Sequence, residues 1–125
     1  MGEYVVGSTE MTLENRDFLR SVSIDADDGM AMFDSITSAF RFCFSLGISL
    51  NAREEPKGET TSVAPRQFLP EDYLDSLLPI SKTEDISLGA AATQFGHAGI
   101  EILKKHIENN PDGTLSSILE EDITR

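Results

Sequence analysis

The chain has 125 residues, the size of one domain around one hydrophobic core, and we predict a single domain over residues 1–125. Its formal net charge is −12, from 22 acidic and 10 basic side chains. Phosphate contacts need patches of positive charge, so this balance disfavours strong electrostatic binding of nucleic acid by the chain alone. The acids are spread along the whole chain, which is typical of a halophilic cytoplasm; an acidic surface for a protein partner is the alternative.

Cysteine usage and hydropathy bear on the compartment. The single cysteine, Cys43, excludes an internal disulfide and is predicted to be a small buried side chain. No run approaches the roughly 20 apolar residues of a membrane span. The N-terminus lacks the basic start and apolar run of a signal peptide. We therefore expect a cytoplasmic protein that does not enter a membrane.

A short helix is predicted near the N-terminus. Residues 1–11 are mixed, and Tyr4 to Val6 could form a strand fragment without an obvious partner. Thr12 can cap a helix, since Glu14 and Asp17 then lie in its first turn, where carboxylates complement the helix dipole. The apolar face of this helix would be formed by Phe18, Leu19 and Val22.

The most apolar stretch of the chain runs from Asp27 to Asn51 and is predicted to be one long helix. Apolar residues recur at three- and four-residue steps, and a narrow stripe of serines with Asp34 and Arg41 lies opposite. A helix that is apolar over so wide an arc must be buried, either in its own core or against another subunit. We expect at least one of four large side chains to leave the intramolecular core and form an interface: Phe40, Phe42, Phe44 and Leu46.

Residues 51–70 interrupt the helical pattern. Pro56, Gly58, Pro65 and Pro70 exclude a continuous helix there. We predict an irregular loop, with a loose hairpin as one option and a partner-binding arm as the alternative.

Two helices are predicted after the loop. Pro70 suits a first helical turn, and Pro79 would end a short helix at Leu78. Ser81 and Glu84 match a capping box, from which a second helix could run to about Asn109.

A face of small residues is predicted on that second helix. Gly89, Ala92, Gly96 and Gly99 lie on it and indicate close approach of another helix, the central one being the best candidate. A final short helix would span Thr114 to about Asp122. The expected fold is therefore all-α, with about five helices and a long apolar central helix packed on a long C-terminal one.

Recognisable catalytic and metal-binding patterns are scarce. Asp25, Asp27 and Asp28 could bind a divalent cation, but helix capping explains them without one. His97 and His106 lack the further ligands that zinc needs and are interpreted as ordinary surface or interface residues. Nucleophile-elbow and phosphate-loop patterns are missing, so we predict neither an enzyme of a standard class nor a cofactor.

Lys104 and Lys105, with the neighbouring His106, form the only basic cluster. Compensation of the helix dipole near a C-terminus explains such a cluster, and a phosphate contact is the alternative.

Two stretches of the chain resemble DndE, the small helical subunit of the DNA phosphorothioation (DNA sulfur-modification) machinery. The first is the run Phe40 to Leu50, FRFCFSLGISL, with an arginine followed by small and apolar residues. The second is the run His97 to Leu103, HAGIEIL, which resembles the family's His-x-x-Gly region followed by apolar residues, although here a single residue separates His97 from Gly99. The order of elements and the chain length also fit this family.

The resemblance implies a non-catalytic accessory subunit that supports assembly of the modification complex or its engagement with DNA. It implies homo-oligomerisation, or a complex with sulfur-transfer subunits, namely a cysteine desulfurase and an iron–sulfur partner. Any contact with DNA would use Arg41, Lys104 and Lys105. The alternative is an acidic protein-binding adaptor with no nucleic-acid role.

Overall fold

The computed structural model describes residues 5–23, 33, 35–63 and 68–109. Within these ranges the chain forms strand β1 (Glu10–Thr12), helix α1 (Leu13–Ser21), helix α2 (Ile36–Ser49) and strand β2 (Thr60–Ser62). A 3₁₀ turn (Pro70–Tyr73) then leads directly into helix α3 (Leu74–Glu84), and helix α4 (Leu88–Asn109) follows. The expected helical character is confirmed, but the described part also contains a two-stranded antiparallel sheet, so the fold is not all-α.

Helix α1 starts where its cap predicts. The Thr12 side chain accepts a hydrogen bond from the Asn15 backbone N–H at 3.0 Å, which satisfies one of the free donors of the first turn. Leu19 is fully buried and anchors the helix on the core.

The prediction of one helix from Asp27 to Asn51 is wrong at its start. Phe33 forms a parallel bridge with Ser23, and Ser35 caps α2 by accepting from the Ser38 N–H at 3.0 Å. Phe33 and Ser35 therefore lie before the helix, which begins at Ile36, and the rest of residues 27–34 lies outside the described part of the chain. The predicted end is close, since Ser49 is the last helical residue and Asn51 is left-handed with φ 51°.

Pro79 does not end a helix at Leu78 as predicted; it lies inside α3, which continues to Glu84. Proline removes one backbone donor and leaves the carbonyl four residues earlier, that of Asp75, without its helical partner. Both residues are exposed, so water can bind that carbonyl.

The predicted capping box at Ser81 is also wrong. Ser81 belongs to α3 and donates its hydroxyl proton to the carbonyl of Ile86, just beyond the helix end. Asp85 adopts the left-handed conformation with φ 55°, and α4 starts only at Leu88, with Ser87 accepting from the Ala90 N–H at 3.0 Å. The boundary between the two predicted helices therefore lies at residues 85–87, after Glu84, and not at residues 79–80.

The sheet joins the N-terminal segment to the segment predicted to be an irregular loop. Strand β1 pairs with β2 across about 50 residues of sequence, Met11 facing Thr61. Preceding β1, the carbonyls of Val5 and Val6 accept the N–H groups of Leu88 and Gly89 at 2.8 and 2.6 Å, and so complete the start of α4. The helix predicted at 114–122 lies outside the described residues.

Candidate functional site

The two longest helices, α2 and α4, form the principal helix–helix contact and carry both stretches that resemble the phosphorothioation subunit. A Cβ placed on Gly99 would overlap the backbone of Cys43, and one on Gly47 would overlap the carbonyl of Phe95. The main chains therefore touch at both ends of this seam.

The four small residues predicted to face a helix divide between two neighbours. Gly96 lies under the ring of Phe40 and Gly99 lies on Cys43, so both face the central helix. Gly89 instead faces the backbone of Ser8, in the segment before β1. Ala92 is fully buried in the core. The small residues thus let both a helix and the segment before β1 approach α4 closely.

Three of the four predicted interface residues lie in the core of the single chain. Phe40 and Phe44 are 0% exposed and Leu46 is 1% exposed. These three side chains are therefore covered within the chain, and the expectation that at least one of the four leaves the core rests on Phe42. Phe42 differs, because it is half-buried and packs on Phe33 with ring centroids 5.4 Å apart.

Aromatic side chains from outside α2 and α4 explain this burial. The ring of Phe44 lies 5.1 Å from that of Phe68 and 4.6 Å from that of Tyr73, both in edge-to-face arrangements. Phe68 and Tyr73 come from the segment around the 3₁₀ turn, whose covering role the sequence pattern did not indicate. Phe95 on α4 completes the cluster at 6.3 Å.

Lys104, one of the predicted nucleic-acid ligands, is held by neighbouring groups. Its ammonium lies 3.1 Å from a carboxylate oxygen of Glu101 and 3.8 Å from one of Glu14, and 5.6 Å from the ring centre of Phe18. These contacts join α4 to α1. A lysine with two carboxylate partners offers little positive charge to a phosphate.

Arg41 and the two lysines do not form one surface. Cys43 on α2 faces Gly99 on α4, and Arg41 is two residues, or about 200°, from Cys43 around the helix. Lys104 and Lys105 are about 140° and 240° from Gly99. All three basic residues therefore point away from the seam, on opposite sides of the helix pair.

A polar clasp, missed by the sequence analysis, fixes Arg53 and Glu54 on α4 and joins Arg53 to the end of α3. Arg53 forms an ion pair with Glu84, donates to Gln94 Oε1 at 2.9 Å and lies 6.0 Å from the ring centre of Phe95. The Glu54 N–H adds a bond to the Gln94 carbonyl at 3.1 Å. The hydrogen bond from Arg53 lowers the pKa of Glu84 from its ordinary value, and the attraction of opposite charges acts in the same direction.

His97 also belongs to a polar contact between three segments. Its Nδ1 lies 3.1 Å from Nδ2 of Asn15, which is buried at 1% exposure on α1, and its Nε2 lies 3.8 Å from a carboxylate oxygen of Glu54. His106 is buried rather than at the surface. A buried asparagine and a histidine 82 residues apart carry no local signal, so only the fold brings them together.

The remaining candidates are the Cys43 thiol and the side chains that could bind a metal ion. Burial raises the pKa of the Cys43 thiol, which keeps it protonated and unreactive. Among the described residues, no three His, Cys, Asp or Glu side chains converge as metal ligands would. Asp25, Asp27 and Asp28 lie outside those residues.

Comparisons with protein-family models, with curated proteins and with solved structures found no match. Over the described ranges, none of the helices has the length and hydrophobicity needed to cross a bilayer.

Proposed function

We propose that this chain is a non-catalytic accessory subunit of a DNA sulfur-modification (phosphorothioation) complex, and that it acts through protein assembly. The observation that carries the proposal is the pairing of the two stretches on which the resemblance rests. Residues 40–50 and 97–103 pack on each other through Cys43 and Gly99, so the similar residues form one structural unit.

The charge distribution favours assembly over direct engagement with DNA. Lys104 is compensated by Glu14 and Glu101, and Arg41 lies on the far side of the helix pair. With a net charge of −12, any phosphate contact would have to come from the partner subunits. The proposed partners are the desulfurase and the sulfur-transferring iron–sulfur subunit.

Phe42 is the remaining candidate for the assembly contact, because it is the only one of the four large α2 side chains that is not fully buried. Phe42→Glu should abolish homo-oligomers or complexes with sulfur-transfer subunits, as measured by light scattering and co-purification. Ser45→Glu is the matched control, since it adds the same charge at an exposed position of the same helix. Loss of helical circular dichroism in Phe42→Glu would instead place Phe42 in the intramolecular core.

Deletion of the gene in its host tests the function itself. Phosphorothioate dinucleotides in digested genomic DNA, measured by mass spectrometry, should fall to background and return with the wild-type gene. The isolated chain should show no binding of nicked duplex DNA by fluorescence anisotropy at physiological salt. Unchanged phosphorothioate levels after deletion would refute the proposed role.

The second candidate is an acidic adaptor that binds a protein partner and has no nucleic-acid role. The neutralised Lys104 and the excess of carboxylates favour it as much as they favour the assembly role. Neighbouring genes discriminate the two, because a desulfurase and a sulfurtransferase encoded beside this chain support only the first.

A further inference from the structure

The outer edge of β2 carries backbone groups that have no hydrogen-bond partner in the described part of the chain. The Val63 N–H donates to the Thr9 carbonyl at 2.9 Å, so Thr9 and Val63 form a hydrogen-bonded pair of the antiparallel ladder. Because bonded positions alternate along such a ladder, the N–H and C=O groups of Thr60 and Ser62 point away from β1. No backbone group in the described part of the chain bonds to them, and both residues are exposed.

The opposite edge of the sheet is already covered. The Glu10 N–H, which points away from β2, donates to Thr93 Oγ1 on α4 at 2.8 Å. Thr93 in turn donates to the Gly89 carbonyl at 2.8 Å, so this contact is complete. The sheet can therefore accept a further strand only beside β2.

A polar cleft of about 430 Å³ lies between the exposed face of the sheet and α4. Its lining includes the carboxylates of Glu10 and Glu55 and several hydroxyl groups, and neither lysine nor arginine is among its lining residues. The cleft therefore repels anions and suits a cationic group that can donate several hydrogen bonds.

The cleft and the open edge are continuous. The Thr60 hydroxyl donates to the Glu10 carboxylate, which draws this carboxylate across onto β2. A strand added beside β2 would lie about 4.8 Å away, with alternate side chains on the same face as Glu10. A lysine or arginine at such a position could reach both Glu10 and Glu55.

We propose that the outer edge of β2 binds an extended, basic segment of a protein partner by strand addition, with lysine or arginine side chains entering the cleft beside Glu10 and Glu55. A second copy of this chain fits less well, because pairing two β2 edges would bring the same carboxylates together. The inference applies equally to both functions proposed above, so its failure would refute neither of them.

The test uses the full chain and three labelled synthetic peptides. One alternates lysine with threonine and valine, one has glutamate in place of each lysine, and one keeps the lysines but has proline at every second position. Fluorescence anisotropy should detect binding of the first peptide only, since proline cannot donate to a sheet ladder. Amide signals of Thr60 and Ser62 should shift and gain protection from hydrogen exchange on binding.

Three variants separate strand addition from general attraction to an acidic protein. Ser62→Pro removes an outward N–H that β1 does not use, and should weaken binding by roughly fivefold to tenfold. Glu10→Gln combined with Glu55→Gln should weaken it by roughly fivefold. Glu71→Gln, an exposed carboxylate on the 3₁₀ turn, is the matched control and should leave binding unchanged.

Four results would overturn the proposal. The first three are equal binding of the acidic or proline-containing peptide, equal weakening by Glu71→Gln, and no binding of the basic peptide at about 1 mM. The fourth is a wild-type dimer that Ser62→Pro converts to monomer, because a second copy would then occupy the edge.

Discussion

Replacing Gly99 by alanine tests the seam between α2 and α4 most directly. A Cβ at this position would lie 3.0 Å from the Cα of Cys43 and would overlap its carbonyl group. Carbon atoms in protein cores stay about 3.5–4.0 Å apart, so the two helices would have to separate. Neither partner is a side chain that could rotate away, since both sides of the contact are main chain.

The magnitude follows from two opposing terms. Alanine favours a helix interior over glycine by about 1 kcal/mol. Overpacking of a core costs about 1–3 kcal/mol, and a main-chain contact belongs at or above the upper end of that range because it cannot repack. We therefore expect Gly99→Ala to lower the free energy of unfolding by about 2 kcal/mol or more.

Urea unfolding followed by circular dichroism would measure this change, and the melting temperature should fall by roughly 6–12 °C. Ser45→Ala is the control, as an exposed substitution on the far face of α2 should change stability by less than about 0.5 kcal/mol. A Gly99→Ala protein as stable as the wild type, or more stable, would refute the close approach of the two backbones.

Three further predictions concern packing, salt and pH. Gly96→Leu should destabilise the protein by more than about 2 kcal/mol, because its side chain would displace the buried ring of Phe40; unchanged melting would place Gly96 in solvent. The free energy of unfolding should rise between about 0.1 and 1 M potassium chloride, because the Debye length falls from roughly 10 to 3 Å and repulsion among the acidic side chains is screened. Equal stability at both salt concentrations would refute the explanation of the acidity by a halophilic cytoplasm. Since Arg53 lowers the pKa of Glu84 below 4.5, their ion pair contributes stability above that pH and loses it as the pH falls through the lower folded-state value. NMR titration should find the Glu84 carboxyl back in its ordinary range in Arg53→Ala, and an unaltered titration would show that the pair does not persist in solution.

Several features of the fold follow from local signals in the sequence. Thr12 caps α1 because a threonine side chain can reach the free N–H groups of the first turn, which needs only neighbouring residues. The apolar periodicity of residues 36–49 predicts helix α2, and the small residues of α4, spaced three, four and three positions apart from Gly89 to Gly99, lie where α4 meets its neighbours.

At the end of α3, two local signals agreed on a helix boundary and the tertiary structure overrode both of them. Pro79 and the Ser81–Glu84 pattern both predicted a helix boundary, yet α3 runs through them, because the carbonyl freed by Pro79 is exposed and Ser81 finds a different partner at Ile86. Local helix propensity is a weak preference. The packing of α3 on the core overrides it where the backbone group left without a helical partner is exposed to water.

The sheet, the clasp and the covering of α2 depend on contacts between distant residues. β1 and β2 are each three residues long, which is too short to show a periodic pattern in the sequence. They form a sheet only because the fold brings together two segments about 50 residues apart. Phe44 was one of four side chains of which at least one was expected to leave the core, and it is buried because Phe68 and Tyr73 pack against it. Amphipathic periodicity determines which face of a helix is apolar, whereas the identity of the groups that cover this face is decided only when the whole chain packs.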